Sequence, residues 1–312
     1  MDRFLSIQAF VRVAEARSFA EAARQLDVAP SVITVRIKQL EDYVQAPLFH
    51  RTTRHVRLSE VGEAYYKECA ELVARIESIT DSMRETKGSP AGVLRVQALP
   101  GLVLGNLSHR LNDFQARYPG ISIDLVVNDR VVDPVEEGFD MALQIFSPAN
   151  ELLVQRKLFP MRRMFVASPQ YLARHGTPQR PEDLLDHKLG LYDRYPTRNR
   201  WYFHKGEEVV ELTLPSALKS NSVHLLCDYA LSDAGIVCVP TMTSVEHMLS
   251  GRLAPVLTDY PLASLMVSAV FPETHRNTLK VRLFLEFLMT TYIGEPEWDT
   301  RLAAAGVVLP PV

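Results

Sequence analysis

Apolar residues near the N-terminus recur at helical spacing in consecutive short segments. Ser18, followed three residues later by Glu21, fits a capping box, so a helix is predicted to begin at about Ser18. After a turn at residues 27–29, Pro30 suits the first position of a second helix. The apolar faces of these two helices, and of one helix before them, are Phe19, Ala22, Ala23 and Leu26; Ile33, Ile37 and Leu40; and Ile7, Phe10, Val11 and Ala14. The pattern predicts a helix-turn-helix in a three-helix core, although an ordinary helical hairpin has the same spacing.

The segment after the second helix is basic and ends in alternating apolar and polar residues. Residues 47–58 hold three arginines and two histidines, a composition that predicts a β-hairpin wing lying on DNA phosphates. Over residues 31–58, five Arg and Lys residues stand against two Asp and Glu residues, whereas the whole chain has a net charge of −3. The positive charge is therefore local, as a groove contact requires. A solvated basic surface is the alternative, but beside the helix pair we favour a DNA-binding domain at residues 1–58.

A long helix is predicted from Ser59, a suitable N-cap, to about Lys87, where Gly88, Ser89 and Pro90 end it. Its apolar residues follow steps of four and three, which are typical of a heptad seam: Tyr65, Cys69, Leu72, Ile76, Ile79 and Met83. A seam this narrow favours pairing with a second copy, so residues 59–88 are assigned to a dimerisation linker. Because fewer than four heptads are present, a helix lying on its own domain is the alternative.

The remaining two thirds of the chain alternate strand and helix patterns. Predicted strands at 92–98, 121–128 and 140–145 are separated by a helix that ends near Tyr118 and by a short helix at 133–138. The first of these helices has Leu104, Leu107, Leu111 and Phe114 on one face. This βαβαβ order predicts a largely parallel sheet.

A second set of strands and helices comes next, and crossing strands near residues 165 and 265 divide residues 91–312 into two lobes. Lobe I is placed at about 91–162 and 268–294, and lobe II at about 163–267. Open α/β sheets bind ligands at the carboxyl ends of their strands. The candidate cleft residues are therefore Leu99, Pro100, Gly101, Asn128, Gln144, Ile145, Tyr192, Ser220 and Asn221. Helix N-termini near 101 and 222 would favour an anionic group, although each residue alone also suits an ordinary turn.

Composition removes several other classes of protein. A chain of 312 residues with 47% hydrophobic content is ordinary for a globular protein, and it has no apolar run of membrane-spanning length. The N-terminus lacks a signal-peptide pattern, so we expect a cytoplasmic protein. Cys69, Cys227 and Cys238 are widely spaced and predict neither a disulfide frame nor a zinc site. We expect no metal and no cofactor, and the sequence has no phosphate loop or nucleophile elbow of a known enzyme class.

The chain resembles the LysR-type transcriptional regulators over essentially its whole length. The motifs that carry the resemblance are Leu40-Glu41, Pro47-Leu48-Phe49-x-Arg51-Thr52, Leu58-Ser59-x-x-Gly62, Phe139-Asp140-Met141-Ala142, Ala167-Ser168-Pro169-x-Tyr171-Leu172 and Pro181-Glu182-Asp183-Leu184. The resemblance implies an α+β protein with an N-terminal winged helix-turn-helix, a dimerisation helix and a two-lobed α/β effector domain like a periplasmic binding protein. It also implies a homodimer or homotetramer that binds promoter DNA, responds to a small co-inducer and acts on a neighbouring operon or its own gene.

The sequence departs from the family at the recognition helix. Ala29-Pro30 stands where the family usually has Ser-Gln, and Thr34-Val35 where it usually has Ser-Arg. A guanidinium that could pair with guanine is therefore missing at position 35, where Val35 offers a methyl contact to thymine instead. Arg36 could replace it only if the helix were rotated. The predicted DNA-binding residues are Ser31, Thr34, Val35, Arg36, Lys38, Arg51, Thr52 and Arg54. Many relatives carry Arg where Gln144 stands, which argues against a simple carboxylate held at that position.

These observations favour a DNA-binding transcriptional regulator with an effector-binding domain and no enzymatic activity. The expected partners are double-stranded promoter DNA, a small-molecule effector and further copies of the chain; contact with RNA polymerase is compatible with this function, and no membrane partner is expected. The alternatives are an α/β enzyme or a solute-binding receptor that carries a structural N-terminal helical domain.

Overall fold

The N-terminal domain is a three-helix bundle with a hairpin wing. The computed structural model describes residues 2–51, 56–85, 90–148, 150, 152–263 and 265–310. The first elements are α1 (Arg3–Ala16), α2 (Phe19–Gln25), α3 (Pro30–Val44), β1 (Phe49–Arg51) and β2 (Val56–Leu58). Phe10, Ile33, Ile37 and Leu40 are fully buried in one core. The predicted helix-turn-helix is confirmed.

The turn between α2 and α3 is explained by local backbone chemistry. Ser18 Oγ accepts a hydrogen bond from the Glu21 amide at 3.2 Å, which fixes the start of α2. The Glu21 carboxylate accepts from Arg24 instead of closing a capping box. Asp27 adopts a left-handed conformation with φ of 51°, which short polar side chains tolerate. Pro30 is the first residue of α3.

The wing is held against α4 (Glu60–Glu85) by a close backbone contact. Ser59 Oγ accepts from the Gly62 amide at 2.9 Å and donates to the Pro47 carbonyl oxygen at 2.6 Å. A Cβ atom on Gly62 would lie only 2.1 Å from the carbonyl oxygen of Leu48. Glycine at position 62 therefore lets the start of α4 touch the backbone that leads into the wing.

Each lobe of the C-terminal half is built on a five-stranded sheet. The elements up to the first crossing are β3 (Gly92–Ala98), α5 (Pro100–Leu102), α6 (Ser108–Arg117), β4 (Ile121–Val127), α7 (Pro134–Glu137), β5 (Met141–Gln144) and β6 (Leu153–Met161). Those of lobe II are β7 (Arg163–Ala167), α8 (Pro169–His175), β8 (Leu189–Tyr192), β9 (Arg200–Lys205), β10 (Glu208–Thr213), β11 (Leu218–Ser220), α9 (Val223–Leu231), β12 (Ile236–Pro240), α10 (Thr241–Leu249) and β13 (Ala254–Val256). The chain then returns with β14 (Leu265–Pro272), α11 (Leu279–Thr291) and α12 (Glu297–Ala304).

The sheet orders explain why the lobes separate where they do. The first sheet has the order β4-β3-β5-β14-β6, and β3 pairs in parallel with β4 and β5, which confirms the predicted βαβαβ unit. The second has the order β11-β8-β12-β7-β13. Strands β14 and β6 pair antiparallel, so the returning chain joins lobe I beside the strand that leaves it. The return strand begins at Leu265, three residues before the predicted boundary of lobe I.

Arg162 is the single residue between β6 and β7, where the chain first crosses between the lobes. Its side chain is buried, and its Nε donates to the Pro310 carbonyl oxygen at 2.8 Å. Its Nη1 pairs with Asp299 Oδ2 at 2.7 Å and with Glu295. These bonds attach the C-terminal segment to the crossing point.

One predicted helical face is wrong because the helix after β3 is irregular. A turn of π-helix at Val103–Leu107 lies between α5 and α6. A π-turn inserts one residue and so rotates the preceding part of the helix relative to the next turn. Leu107 and Phe114 are buried as predicted, but Leu104 is 68% exposed.

Across the described ranges, no helix has both the length and the apolar character to cross a membrane.

We expect Gly62→Ala to destabilise the N-terminal domain, although alanine stabilises a helix interior by about 1 kcal/mol relative to glycine. The added Cβ would displace Leu48, and overpacking of this kind costs about 1–3 kcal/mol. Urea denaturation followed by circular dichroism should therefore show a net loss of roughly 1 kcal/mol in the free energy of unfolding. The control is Gly105→Ala, whose Cβ would come no closer than 3.5 Å to its nearest neighbour, the Met242 carbonyl oxygen. Equal stabilities of Gly62→Ala and the unmodified protein would contradict this interpretation.

Candidate functional site

The outer face of α3 presents most of the predicted DNA-binding residues to solvent. Ser31, Thr34, Val35 and Lys38 are exposed, whereas Arg36 is only half-buried between that face and the core. Val35 is 54% exposed. Val32 is also exposed on this face, and sequence reasoning missed it.

One carboxylate joins the wing to α3. Glu41, near the end of α3, accepts hydrogen bonds from the amides of Leu48 and Phe49 at 2.8 and 3.3 Å. Strands β1 and β2 then pair antiparallel. Three predicted contacts at the tip, the side chain of Arg51 and the residues Thr52 and Arg54, lie outside the described part of the chain.

Helix α4 carries only part of the predicted dimerisation seam. Leu72, Ile76 and Ile79 are 60, 43 and 47% exposed. The assignment of Tyr65 and Cys69 to the seam is wrong, because both pack into the N-terminal core; Tyr65 lies against Phe10 with ring centroids 5.5 Å apart, and Cys69 is buried. The first turns of α4 thus belong to the DNA-binding domain. The side chain of Met83 lies outside the described residues.

A cleft lies between the lobes at the carboxyl ends of their strands. It contains about 480 Å³ of empty space, including its mouth. Six of the predicted residues line it: Leu99, Pro100, Gly101, Ile145, Tyr192 and Asn221. The lobes touch here, since a Cβ atom on Gly101 would lie 3.2 Å from the Val223 side chain of lobe II. The remaining lining residues are Leu102, Asp129, Met161, Tyr195, Val223, Pro240, Met242 and Val267.

Three predicted cleft residues are occupied by structural hydrogen bonds. The Gln144 amide accepts from the Val132 amide and donates to the Val132 carbonyl, both at 3.1 Å, so it fixes a loop although it borders the cleft mouth. Asn128 accepts from Gln97 through its side chain and its backbone carbonyl. Ser220 accepts from the Ser222 amide at 2.9 Å. These bonds use part of the hydrogen-bonding capacity of each side chain, and contact of the three side chains with a ligand stays a prediction.

Sequence reasoning missed Asp129, the only charged group among the cleft-lining residues that the structure describes. Its carboxylate accepts from Asn221 Nδ2 at 3.1 Å and from the Tyr192 hydroxyl at 3.4 Å, both in lobe II. Arg194 Nε also lies 3.4 Å away. Burial, together with the charge of Asp129, raises the pKa of Tyr192, so this phenol stays protonated as a donor. Asp129 comes two residues after β4 ends, and counting one position beyond Asn128 would have found it.

One chain segment, residues 129–137, connects the cleft with the DNA-binding domain. It begins at Asp129, passes through Val132 where Gln144 holds the backbone, and ends in α7. Glu136 of α7 forms an ion pair with Arg17, the C-cap residue of α1. The cleft and the helix bundle are therefore joined by a few directly bonded residues.

One part of the contact between the N-terminal domain and lobe I is polar. Arg12 pairs with Glu15 at 2.8 Å on α1, and Asp140 pairs with Lys280 at 2.7 Å in lobe I; all four side chains line one cavity with His275. Burial opposes ionisation of Asp140, but the charges of Lys280 and His275 hold its pKa below the usual value. An interface of paired charges is typical of domains that move relative to each other.

No described residues form a metal or thiol site. Within the described ranges, no three His, Cys, Asp or Glu side chains are grouped to hold a metal ion. Cys69, Cys227 and Cys238 are buried and unpaired, and burial raises the pKa of Cys227 and Cys238 to about 12. These thiols pack as small apolar groups rather than as nucleophiles.

Two family models match the chain. Residues 4–63 match the bacterial regulatory helix-turn-helix protein, lysR family, and residues 87–292 match the LysR substrate binding domain. The chain is 30% identical to the uncharacterized HTH-type transcriptional regulator YhjC of Escherichia coli (strain K12) over 294 residues, covering 92% of this chain and 97% of that protein. It is 31% identical to the HTH-type transcriptional regulator CrgA of Neisseria meningitidis serogroup C over 281 residues, with 90% and 94% covered. The solved structure of CrgA from Neisseria meningitidis superposes with a TM-score of 0.61 at 29% identity, covering 93% of this chain and 99% of that one.

We expect Arg17→Glu to loosen the contact between α1 and α7. Because Arg17 and Glu136 are 60 and 46% exposed, the pair contributes at most about 1 kcal/mol, so hydrogen exchange of the α7 amides should accelerate by up to about fivefold. The charge-swapped double variant Arg17→Glu/Glu136→Arg should restore slow exchange. Arg180→Glu, which alters an exposed pair with Asp183 in lobe II, is the control. Unchanged α7 exchange in Arg17→Glu would show that this pair does not hold the domains together.

Proposed function

The chain belongs to the LysR family of bacterial transcriptional regulators, and we propose that it binds promoter DNA through α3 and the wing. It acts as a homodimer or homotetramer. Its DNA contacts change when a small molecule enters the interlobe cleft. Both domains of the family are present in one chain, a DNA-binding domain and an effector-binding domain. The observation that carries the proposal is the exposed outer face of α3 in a capped helix-turn-helix. Repression of its own gene or activation of a neighbouring operon, with contact to RNA polymerase, is the expected outcome.

The proposed DNA contacts divide into positioning and reading. Lys38 is exposed at the middle of α3, where an ammonium can reach phosphate. Ser31, Thr34 and Val35 lie on the same face, earlier in the helix. The N-terminal residues of a recognition helix contact base edges in this motif. Val35 then reads a thymine methyl group rather than a guanine.

Self-association is proposed through the exposed part of α4. Leu72, Ile76 and Ile79 succeed one another at steps of four and three and remain exposed in the single chain. Burying such a stripe against a second copy removes apolar surface from water. Pairing at α4 also sets the distance between two recognition helices, which must match half-sites about 34 Å or a multiple apart.

The proposed signal passes through residues 129–137. A ligand that displaces the lobe II partners of Asp129 changes the position of the loop that ends in α7, and α7 contacts α1 through Arg17. A ligand shifts a conformational equilibrium only by its differential affinity for the two states. The difference in affinity arises at Asp129, because a bound molecule competes with the hydrogen bonds that Asp129 accepts from lobe II in the unliganded state.

The first test is a nuclease footprint of the purified protein on the DNA that flanks its own gene, repeated across a salt series. Specific contacts should survive salt that removes non-specific binding. Protected patches about one helical turn apart support a dimer that recognises an operator. Diffuse protection that vanishes with salt would oppose specific recognition on that DNA.

We expect Lys38→Ala to weaken binding to operator and unrelated DNA by similar factors and to lower the slope of log affinity against log salt by about 1, because one phosphate contact is lost. Val35→Ala should instead change base preference at one position and leave the salt slope unchanged. Fluorescence anisotropy over a salt series measures both. Lys219→Ala, an exposed lysine of β11 in lobe II, is the control. A salt slope in Lys38→Ala equal to that of the control would remove Lys38 from the DNA interface.

We expect Leu72→Asp/Ile76→Asp to dissociate the assembly, because charges cannot be buried in the seam without partners. Sedimentation should show a smaller species, and operator affinity should fall about a hundredfold through the loss of bivalent binding. Ala64→Asp, at an exposed position of α4 outside the seam, should leave both properties unchanged. Sedimentation identical to the unmodified protein would refute the role of α4 in association.

A further inference from the structure

The interlobe cleft is lined almost entirely by apolar and aromatic groups. Leucine, isoleucine, valine, methionine and proline side chains from both lobes surround the rings of Tyr192 and Tyr195. Tyr195 is buried, and burial raises its pKa to about 12, so its phenol is neutral at physiological pH. Small-molecule sites of this kind hold an apolar body and orient it with a few polar groups. Such a lining is complementary in polarity to an apolar body.

The first helix that opens on the cleft offers few amides to an anion. Pro100 at the first position of this helix has no N–H. The amides of Leu102 and Val103 donate back to the Leu99 carbonyl oxygen, both at 3.1 Å. An anion at a helix start needs free amides and a favourable dipole. With three residues of α-helix before a π-turn, this end offers an anion few amides and a weak dipole, which weakens the expectation of an anion site there.

The second helix start is also occupied. At the N-terminus of α9, Ser222 Oγ accepts from the Leu225 amide at 3.2 Å. The preceding residue, Asn221, donates to the Asp129 carboxylate. The protein therefore places its own negative charge where a ligand carboxylate would have to lie.

The cations near the cleft mouth are already paired with carboxylates. Arg194 lies 3.4 Å from Asp129 and 3.7 Å from Asp193, and Arg130 lies 3.1 Å from Glu137. Two guanidinium groups thus face three carboxylates. Bringing another carboxylate beside Asp129, which is almost fully buried, meets like-charge repulsion in a water-poor site.

We infer that the cleft binds a compact aromatic or alicyclic molecule that carries an ammonium or hydroxyl donor, and that Asp129 accepts the hydrogen bond from this donor while excluding carboxylates. The inference rests on the proposed role of the cleft as the effector site. The ligand donor replaces Tyr192 or Asn221 as a partner of Asp129. Asp129 is thus the residue that sets the charge specificity of the site.

The test uses three probes that share one ring and differ only in the charged or polar group: benzylammonium, benzyl alcohol and benzoate. Binding to the full-length protein at neutral pH is measured by isothermal titration calorimetry. Benzylammonium and benzyl alcohol should bind at least about tenfold more tightly than benzoate, because only benzoate is repelled by Asp129. Asp129→Asn, which keeps the shape of the side chain, should weaken benzylammonium binding and remove most of its advantage over benzoate.

Two control variants show whether the probe preference comes from Asp129 and whether the probes bind in the cleft. Asp193→Asn removes a nearby carboxylate that is 42% exposed and does not line the cleft, and it should change the preference for benzylammonium over benzoate much less than Asp129→Asn does. Ile145→Trp fills the cleft and should abolish binding of all three probes. Thermal melts followed by circular dichroism show whether each variant is folded.

The inference is overturned if benzoate binds as tightly as benzylammonium, if Asp129→Asn leaves the preference unchanged, or if none of the probes binds. The nuclease footprint on the same protein preparation separates this failure from a failure of the proposed function. Discrete protection with a preference for benzoate refutes only the ligand class. Absence of discrete protection with the expected probe preference opposes the regulatory proposal and supports the ligand class.

Discussion

The two-lobed half of the molecule depends on the buried guanidinium of Arg162 at the chain crossing. A charge removed from water costs several kcal/mol unless it is paired, and the partners of this charge all come from the C-terminal segment: Glu295, Asp299 and the Pro310 carbonyl. That segment lies beyond residues 87–292, which match the family's effector-domain model. The last helix that the structure describes therefore holds the first crossing between the lobes in place.

A short series of hydrogen bonds and one ion pair connects the cleft to the DNA-binding domain. Asp129 joins the two lobes, and Gln144 fixes the loop that comes after it. Helix α7 then meets the end of α1 at the pair of Glu136 and Arg17. The proposed coupling needs an element with two arrangements that both sites can bias. A loop held by a few hydrogen bonds between two domains meets that requirement better than the packed sheets do.

Sequence reasoning located the cleft but misassigned some of its chemistry. The rule that ligands lie at strand ends identified residues in both lobes, including Leu99, Ile145 and Tyr192. It could not show that the Gln144 amide is bonded to the backbone of a loop, because periodicity carries no information about such contacts. It missed Met242, because helix α10 directly follows a buried strand and has no polar turn before it. Asp129 was missed because its partners lie about 60 and 90 residues further along the chain.

By itself, the sequence determined the helix-turn-helix, the parallel βαβαβ unit and the two-domain division, because capping residues, proline positions and hydrophobic spacing act over a few neighbouring residues. It also determined the family, through motifs such as the one ending at Gly62, whose reason is a backbone contact with Leu48. Only the tertiary structure decided that Tyr65 and Cys69 face the N-terminal core, and that the cleft carries a carboxylate. Those outcomes depend on which distant elements meet, and no local pattern encodes that.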